Sequence, residues 1–453
     1  MLQCASVHVA VRLGPNVAVR LNSTVPLAYS SAMNDTTTEP PAMPGLIRPG
    51  PRPLGFHLAS ALSALGGSVL ALPAVRAGSP LDDTGIGAEA REMAKALVGV
   101  EVEDLAGAAG QEAADRLQSM LTGIEAYRNH PYQRDVEDPP QIWSEGSTRV
   151  LDYGALDPAA QPANTVLFVP SLVNRGYVLD LSSRRSMLRW MVGQGVRPLL
   201  VDWGSPGEAE ADFDLDDYIL GRLDKILDLA RRQRDGPVPL VGYCMGGDLC
   251  LALAQRRPSD LATLTLMATP WDFHGGSGLH AELFAAVAGS LDAVISGFGH
   301  LPVDVLQTFF ASLDPALGLR KFRAFAELDP QSQKAADFVA LEDWLNDGVA
   351  LTAGVARECL INWYGANTPL QGKWLVGGVP VDPTAVNVPT LVAAPAADRI
   401  VPPEAARPLA ELIPGATSMT PPSGHIGMVV GSKAEHGMWR PLADWLRRGD
   451  ALA

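Results

Sequence analysis

A chain of 453 residues, 47% hydrophobic and 19% charged, carries enough apolar mass for one large domain with additions or for two modest ones. Its formal net charge of −15 excludes a general nucleic-acid binder, which would present a basic footprint, and suits an ordinary soluble enzyme. The four cysteines, Cys4, Cys244, Cys250 and Cys359, form no CxxC pair, so free thiols in a reducing cytoplasm are expected rather than a zinc site or a disulfide framework.

Residues 1–55 read as a poorly ordered leader. The run PPAMPGLIRPGPRPLG ends there, its prolines remove backbone donors, and Met33 and Met43 are each a possible translation start. Residues 56–140 read as a helical extension. Within it, HLASALSALGGSVLALPAVRAG (His57 to Gly78) is the one segment of interest to a membrane. It lies too deep for a signal sequence, and Gly66, Gly67 and Pro73 spoil a spanning helix, so an amphipathic or core-docked helix is expected. From about Ala88 to Arg134 the pattern is helical, with apolar residues at Leu117, Leu121 and Ile124.

From Gln141 the rhythm changes to short apolar runs separated by amphipathic stretches, the pattern of an α/β sheet. TVLFVP, RPLLVD, VPLVGY, TLTLMA and PTLVAA (starting at Thr165, Arg197, Val238, Thr263 and Pro389) read as buried parallel strands, and ATSMT from Ala416 as a weaker sixth. Between Pro270 and Val388 no good central strand occurs, while helical segments abound. An unstructured loop of that length is implausible, so residues 271–385 are read as a helical cap inserted between the core segments 141–270 and 386–453.

The chemistry starts at GYCMGG. Cys244 stands where VPLVGY ends and a helix begins, the place of a nucleophile elbow, with Gly242, Gly246 and Gly247 making the turn sterically possible. The positive helix end stabilises a thiolate there, and the N–H of Met245 is placed to donate to an oxyanion. Asp398 follows the strand PTLVAA, and His425 follows the next strand. Nucleophile, acid and histidine thus occur in the order of the α/β-hydrolase arrangement, each after its own strand. His274, His280 and His300 fall in the cap without zinc spacing and read as surface or packing residues. Trp344, Trp363 and Tyr364 read as cap core, with an acyl channel as the alternative. Asp248 reads as an early-helix acid favoured by the dipole, and Asp202 as a loop-structuring strand end.

Several stretches together resemble the polyhydroxyalkanoate synthases, above all the short two-subunit kind called class III. They are FVPSLVNRGYVLDL, LLVDWGSPG, GYCMGG, LMATPWDF, LEDWLNDG, ADRIVPP and SGHIG, in that order between Gln141 and Leu446. The resemblance implies that Cys244 is acylated, that His425 is its base, that Asp398 completes the triad and that SLVNR supplies a second oxyanion donor, assigned to Val173. It implies a 3-hydroxyacyl-CoA substrate with CoA as leaving group and no further cofactor. It also implies a separate partner subunit, a homo-oligomer, and a cytoplasmic enzyme at the surface of polyhydroxyalkanoate granules. Two positions depart from the family: Arg399 follows the acid where histidine is usual, and ANTP (Ala366 to Pro369) stands where Glu-Asn-Lys-Leu is frequent. Both put substrate range and polymerising ability in question. The alternatives are a cysteine-dependent hydrolase (depolymerase-like, a thioesterase or of the dienelactone type) and a non-catalytic granule-binding homologue, against which the complete triad counts.

Overall fold

The computed structural model describes residues 48–76, 100–156, 164–234, 236–276 and 279–450. Most of the Pro-rich leader, Cys4, and the stretch from Ala88 to Gly99 lie outside them.

Eight strands build the central sheet: β1 (Gln141–Glu145), β2 (Thr148–Asp152), β3 (Asn164–Val169), β4 (Val196–Asp202), β5 (Val238–Tyr243), β6 (Leu261–Met267), β7 (Thr390–Ala393) and β8 (Thr417–Met419). Their spatial order is β1-β2-β4-β3-β5-β6-β7-β8. From β4 to β8 every pairing is parallel, whereas β1 pairs β2 and β2 pairs β4 antiparallel. All six expected strands are present. The antiparallel hairpin is an addition that the apolar-run criterion passes over, because β1 is half exposed and carries Ser144 and Glu145. Strands β5 and β6 are buried along their whole length, as expected where helices cover both faces.

Helices α4 (Asp224–Arg232), α5 (Met245–Arg256) and α10 (Pro403–Leu412) cover one face; α3 (Met187–Val192) and α11 (Arg440–Asp450) cover the other. Between β6 and β7 the chain leaves the sheet and forms α6 (Leu279–Phe298), α7 (Val303–Ser312), α8 (Leu317–Ala326) and α9 (Gln333–Asn346). These helices stand over the sheet at the end where the parallel strands finish, because Cys244, Pro270 and Ile400 line one cavity with residues of α7 and α9.

Before the sheet come α1 (Leu54–Arg76) and α2 (Val102–Arg128). They pack on α8 and α9 around Ala61, Leu65, Ile124, Tyr127, Phe322 and Val339. The expected amphipathicity of α1 is not found. Ala61 and Leu65 are buried while Leu62 is 55% and Leu70 82% exposed, so apolar residues occupy the outward side as well. By length and composition alone, Leu54–Ala71 is apolar enough to cross a membrane, at mean hydropathy 1.5.

The end of the presumed leader is also ordered. Arg48 is buried, pairs with Asp343 of α9 at 2.8 Å and donates to the carbonyl oxygens of His130 and Tyr132. A guanidinium fork satisfied from the extension and the cap fixes a chain that backbone pattern alone leaves undetermined.

The α2–α8 crossing is close enough to test. A Cβ on Gly123 would stand 1.9 Å from the carbonyl oxygen of Phe322, whereas one on Gly107 of the same helix would meet nothing within 4 Å. Gly123→Ala should therefore cost about 1–3 kcal/mol through backbone displacement. Gly107→Ala should gain up to about 1 kcal/mol from helix propensity. Thermal denaturation of the two variants checks this; equal shifts would contradict so close a crossing.

Candidate active site

The turn from β5 into α5 positions Cys244, the candidate nucleophile. Cys244 has φ 56°, a left-handed conformation costly for a side chain with a Cβ. It is held because the Cys244 N–H donates to the Met267 carbonyl at 2.8 Å, and its own carbonyl accepts from the Gly247 N–H at 2.9 Å. The flanking glycines are sterically required. A Cβ on Gly242 would lie 2.4 Å from the Gly247 Cα, one on Gly246 2.1 Å from the Val169 oxygen, and one on Gly247 1.8 Å from the Thr269 Oγ1. Strand, helix and β3 therefore meet at backbone distance, and the thiol is the first side chain to leave the turn.

Asp398 and His425 arrive on the loops after β7 and β8. His425 Nδ1 lies 2.7 Å from Asp398 Oδ2, and the other carboxylate oxygen accepts from the N–H groups of Ile400 and Val401 at 2.9 and 2.8 Å. The carboxylate is thus oriented by two backbone donors before it orients the imidazole. On its other side the imidazole neighbours the Cys244 side chain, close enough for the sulfur to act on its pKa. Burial by itself would lower the imidazole's pKa. The Cys244 sulfur and the Asp398 carboxylate overrule it and push it up to about 10. The Tyr243 ring lies 5.2 Å from that of His425, and its hydroxyl donates to the His425 carbonyl at 3.2 Å. The three residues separated by 154 and 27 positions in sequence form one hydrogen-bonded chain.

The thiol opens into a cavity of ≈ 120 Å³, lined mainly by apolar and aromatic side chains, among them Phe273, Phe309, Trp344, Trp363 and Tyr364. Trp344 and Trp363 are cap core, at 4% and 1% exposure, and line the cavity as well. Met245, as the first helical residue, has an N–H without a partner inside the helix, and it too lines the cavity. Val173 also lies on the wall, but its N–H donates to Ser171 Oγ at 3.1 Å, so this donor is already engaged. His274 meets the Tyr364 carbonyl at 3.0 Å and is a packing residue; His300 is exposed; the side chain of His280 lies outside the described residues. Arg399, at the atypical position after the acid, is 80% exposed and pairs with Asp314 of the cap at 3.1 Å. In the other departing segment, Asn367 has φ 52° and receives the Phe273 N–H at 3.0 Å while donating to Asp272 at 2.8 Å.

Residues 164–432 match the family model of the alpha/beta hydrolase fold. Among curated proteins, the chain is similar to the poly(3-hydroxyalkanoate) polymerase subunit PhaC of Allochromatium vinosum, 30% identical over 343 residues that cover 74% of this chain and 96% of the relative. The corresponding subunit of Haloferax mediterranei is 30% identical over 67% of this chain and 62% of its own length. That of Synechocystis is 30% identical over 62% and 77%. The chain belongs to the poly(3-hydroxyalkanoate) polymerase family, on the α/β-hydrolase fold. In this polymerase homologue, the motifs from FVPSLVNRGYVLDL to SGHIG fall on the ends of β3, β4 and β6, the elbow, cap helix α9 and the loops that carry Asp398 and His425.

Asp248 departs from its expected role. Four residues after the nucleophile, it is 1% exposed, and neither carboxyl oxygen meets a hydrogen-bond partner on another residue. Burial, and then the neighbouring Cys244 sulfur, push this carboxyl well above the usual range, so it is not a solvated acid facing the helix dipole. Sequence offers one cue, since i and i+4 share a helix face and Cys244 faces inward. A carboxyl raised above its unfolded pKa of about 3.9 holds its proton longer in the folded state. It therefore withdraws stability as pH rises above about 4. Asp248→Asn should be more stable than the parent at pH 8 by about 1–3 kcal/mol, with the gap closing toward pH 4. Denaturant titrations at several pH values read this; a gap independent of pH would show that Asp248 is paired.

Proposed function

We propose that this protein polymerises 3-hydroxyacyl-CoA thioesters into polyhydroxyalkanoate through an acyl-Cys244 intermediate. The observation that carries the proposal is a thiol, not a hydroxyl, in a complete triad at the base of a largely apolar cavity. The curated relatives are named polymerases of this polymer, which supports the same chemistry here.

In the acylation step the Cys244 sulfur, its proton passed to His425, attacks the thioester carbonyl carbon. Charge on the carbonyl oxygen is met by the Met245 N–H. The bond to the CoA sulfur breaks, and His425 returns the proton to the departing thiol. One thioester has replaced another, so the acyl-enzyme keeps the reactivity of the substrate, whereas a serine ester would lie lower in energy and be a poorer acyl donor. His425 then accepts the proton of an incoming 3-hydroxyl. That oxygen attacks the acyl carbon, an oxygen ester forms and the Cys244 thiol is released. Asp398 keeps the imidazole oriented and balances its charge through both proton transfers. The aromatic cap walls favour transfer to a hydroxyl over hydrolysis by limiting water at the thioester. CoA is a substrate fragment and no other cofactor is required.

We place the enzyme in the cytoplasm at the surface of the granule it makes, with a second subunit and self-association as further parts of this reading. The outward Leu62 and Leu70 of α1 give the apolar contact that such a surface accepts.

Purified protein with 3-hydroxybutyryl-CoA, followed for free CoA thiol and product size together, tests the reaction. Release of CoA with growing polymer is expected, lost by at least about 10³-fold in Cys244→Ala. Cys244→Ser should accumulate a stable acyl ester on the enzyme, seen by intact-protein mass. CoA release that leaves only free 3-hydroxybutyrate would make the protein a hydrolase and sink the polymerase reading. For the granule contact, Leu62→Glu with Leu70→Glu should reduce co-sedimentation with polymer granules severalfold; unchanged sedimentation would remove that contact.

A further inference from the structure

The chain carries a net charge of −15, yet a CoA thioester is a polyanion, so its phosphates need a local cationic seat. The cavity above Cys244 does not supply one. Arg175 is the sole Asp, Glu, Lys or Arg on its wall, and His425 is spoken for. Arg175 also lines a second opening, a polar cleft of ≈ 490 Å³ that includes Arg134, Arg149, Asp138, Asp202 and Asp347. Asp202 ends β4 and Arg175 follows β3, so the cleft sits at the C-terminal ends of the parallel strands, where open α/β sheets bind ligands.

We propose that this second cleft holds the phosphate-bearing nucleotide half of the CoA thioester, with Arg175 at the junction to the acyl cavity. The proposal rests on the acyl-transfer reading for its physiological ligand, while the cleft itself can be tested alone. Arg149 and Arg175 are each anchored at one point and weakly held at another, whereas Arg134 is held firmly, by Asp138 at 2.9 Å as well as by Asp180. Arg149 is fixed by Nε to Asp202 at 2.7 Å, but its Nη2 reaches Asp138 only at 3.5 Å. Arg175 donates from Nη2 to Ser205 at 2.8 Å, and its Nε reaches Asp347 only at 3.5 Å. Arg134 is held by the buried Asp180 at 3.0 Å, with its guanidinium 5.4 Å from the centre of the Tyr177 ring. Contacts at 3.5 Å are at the limit of hydrogen bonding, so a phosphate displaces them at little cost. A guanidinium already aimed by its other bond meets a phosphate oxygen without much loss of rotamer freedom. The three carboxylates lining the same cleft, Asp138, Asp202 and Asp347, fix the directions of the arginine side chains.

The test uses the full-length protein and two thioesters, 3-hydroxybutyryl-CoA and 3-hydroxybutyryl-N-acetylcysteamine, which lacks the nucleotide. Arg149→Gln and Arg175→Gln should each reduce the KM advantage of the CoA thioester over the truncated one by about tenfold. Calorimetric titration with adenosine 3′,5′-bisphosphate should show binding to the parent and about tenfold weaker binding to each variant. If KM rises equally for both thioesters, or if bisphosphate binding is unchanged in both variants, the cleft is not the nucleotide seat. Inorganic phosphate binding as tightly as the bisphosphate would overturn nucleotide recognition. If the parent turns over neither thioester, yet the variants lose bisphosphate binding, the acyl-transfer reading fails and the nucleotide site stands.

Discussion

The whole arrangement depends on one backbone contact zone, where β5 turns into α5. Three glycines allow the strand, the helix and the end of β3 to approach at distances that a single methyl group would prevent. Cys244 is kept at φ 56° by hydrogen bonds to Met267 on one side and Gly247 on the other. The strain of that conformation is carried by the parallel pairing of β5 with β6, so the nucleophile is aimed by the sheet rather than by a loop.

The same sheet sets the rest of the triad. Because β7 and β8 are parallel to β5 and β6, their following loops emerge at the same edge, and Asp398 and His425 reach Cys244 without any long excursion. Around this rigid edge lie parts with less intrinsic order. The cap is tied to the extension by Arg48 on Asp343 and by the α2–α8 crossing, and to the sheet core by Trp344, whose indole N–H donates to the Arg175 carbonyl at 2.7 Å. That last bond links a cap aromatic of the acyl cavity to the backbone of the residue shared by both openings.

Binding and reactivity are divided by polarity. The cavity beside the thiol is dominated by aromatic and aliphatic walls, which favour an acyl chain and disfavour water. The neighbouring cleft carries alternating arginine and aspartate side chains. The Asp398 carboxylate and the Cys244 sulfur together raise the buried imidazole to about 10, so the pair favours the proton on the ring when the sulfur carries the negative charge. Asp248 beneath the elbow adds no competing negative charge while it stays protonated, which is where burial drives it.

What could be read from the chain alone is what local chemistry enforces. Five apolar runs mark buried strands because a strand covered on both faces admits few polar residues, and GYCMGG marks the elbow because only glycine fits its close approaches. The order Cys244, Asp398, His425 was legible because each follows a strand, so the fold class brings them to one edge. Other features depend on partners distant in sequence. Arg48 is ordered by Asp343, 295 residues away; the Val173 N–H is taken by Ser171; Asp248 is buried by its surroundings. The half-exposed strand β1 gave no apolar signal, and α1 is apolar on sides that a helical period does not distinguish. Sequence by itself determined the parallel strands, the elbow and the order in which Cys244, Asp398 and His425 follow their strands, since those follow from steric and solvation demands on neighbouring residues. Only the tertiary structure decided which donors are already engaged, which carboxyl is stranded without a partner and which arginines share a cleft, because these are set by contacts between segments that local pattern does not encode.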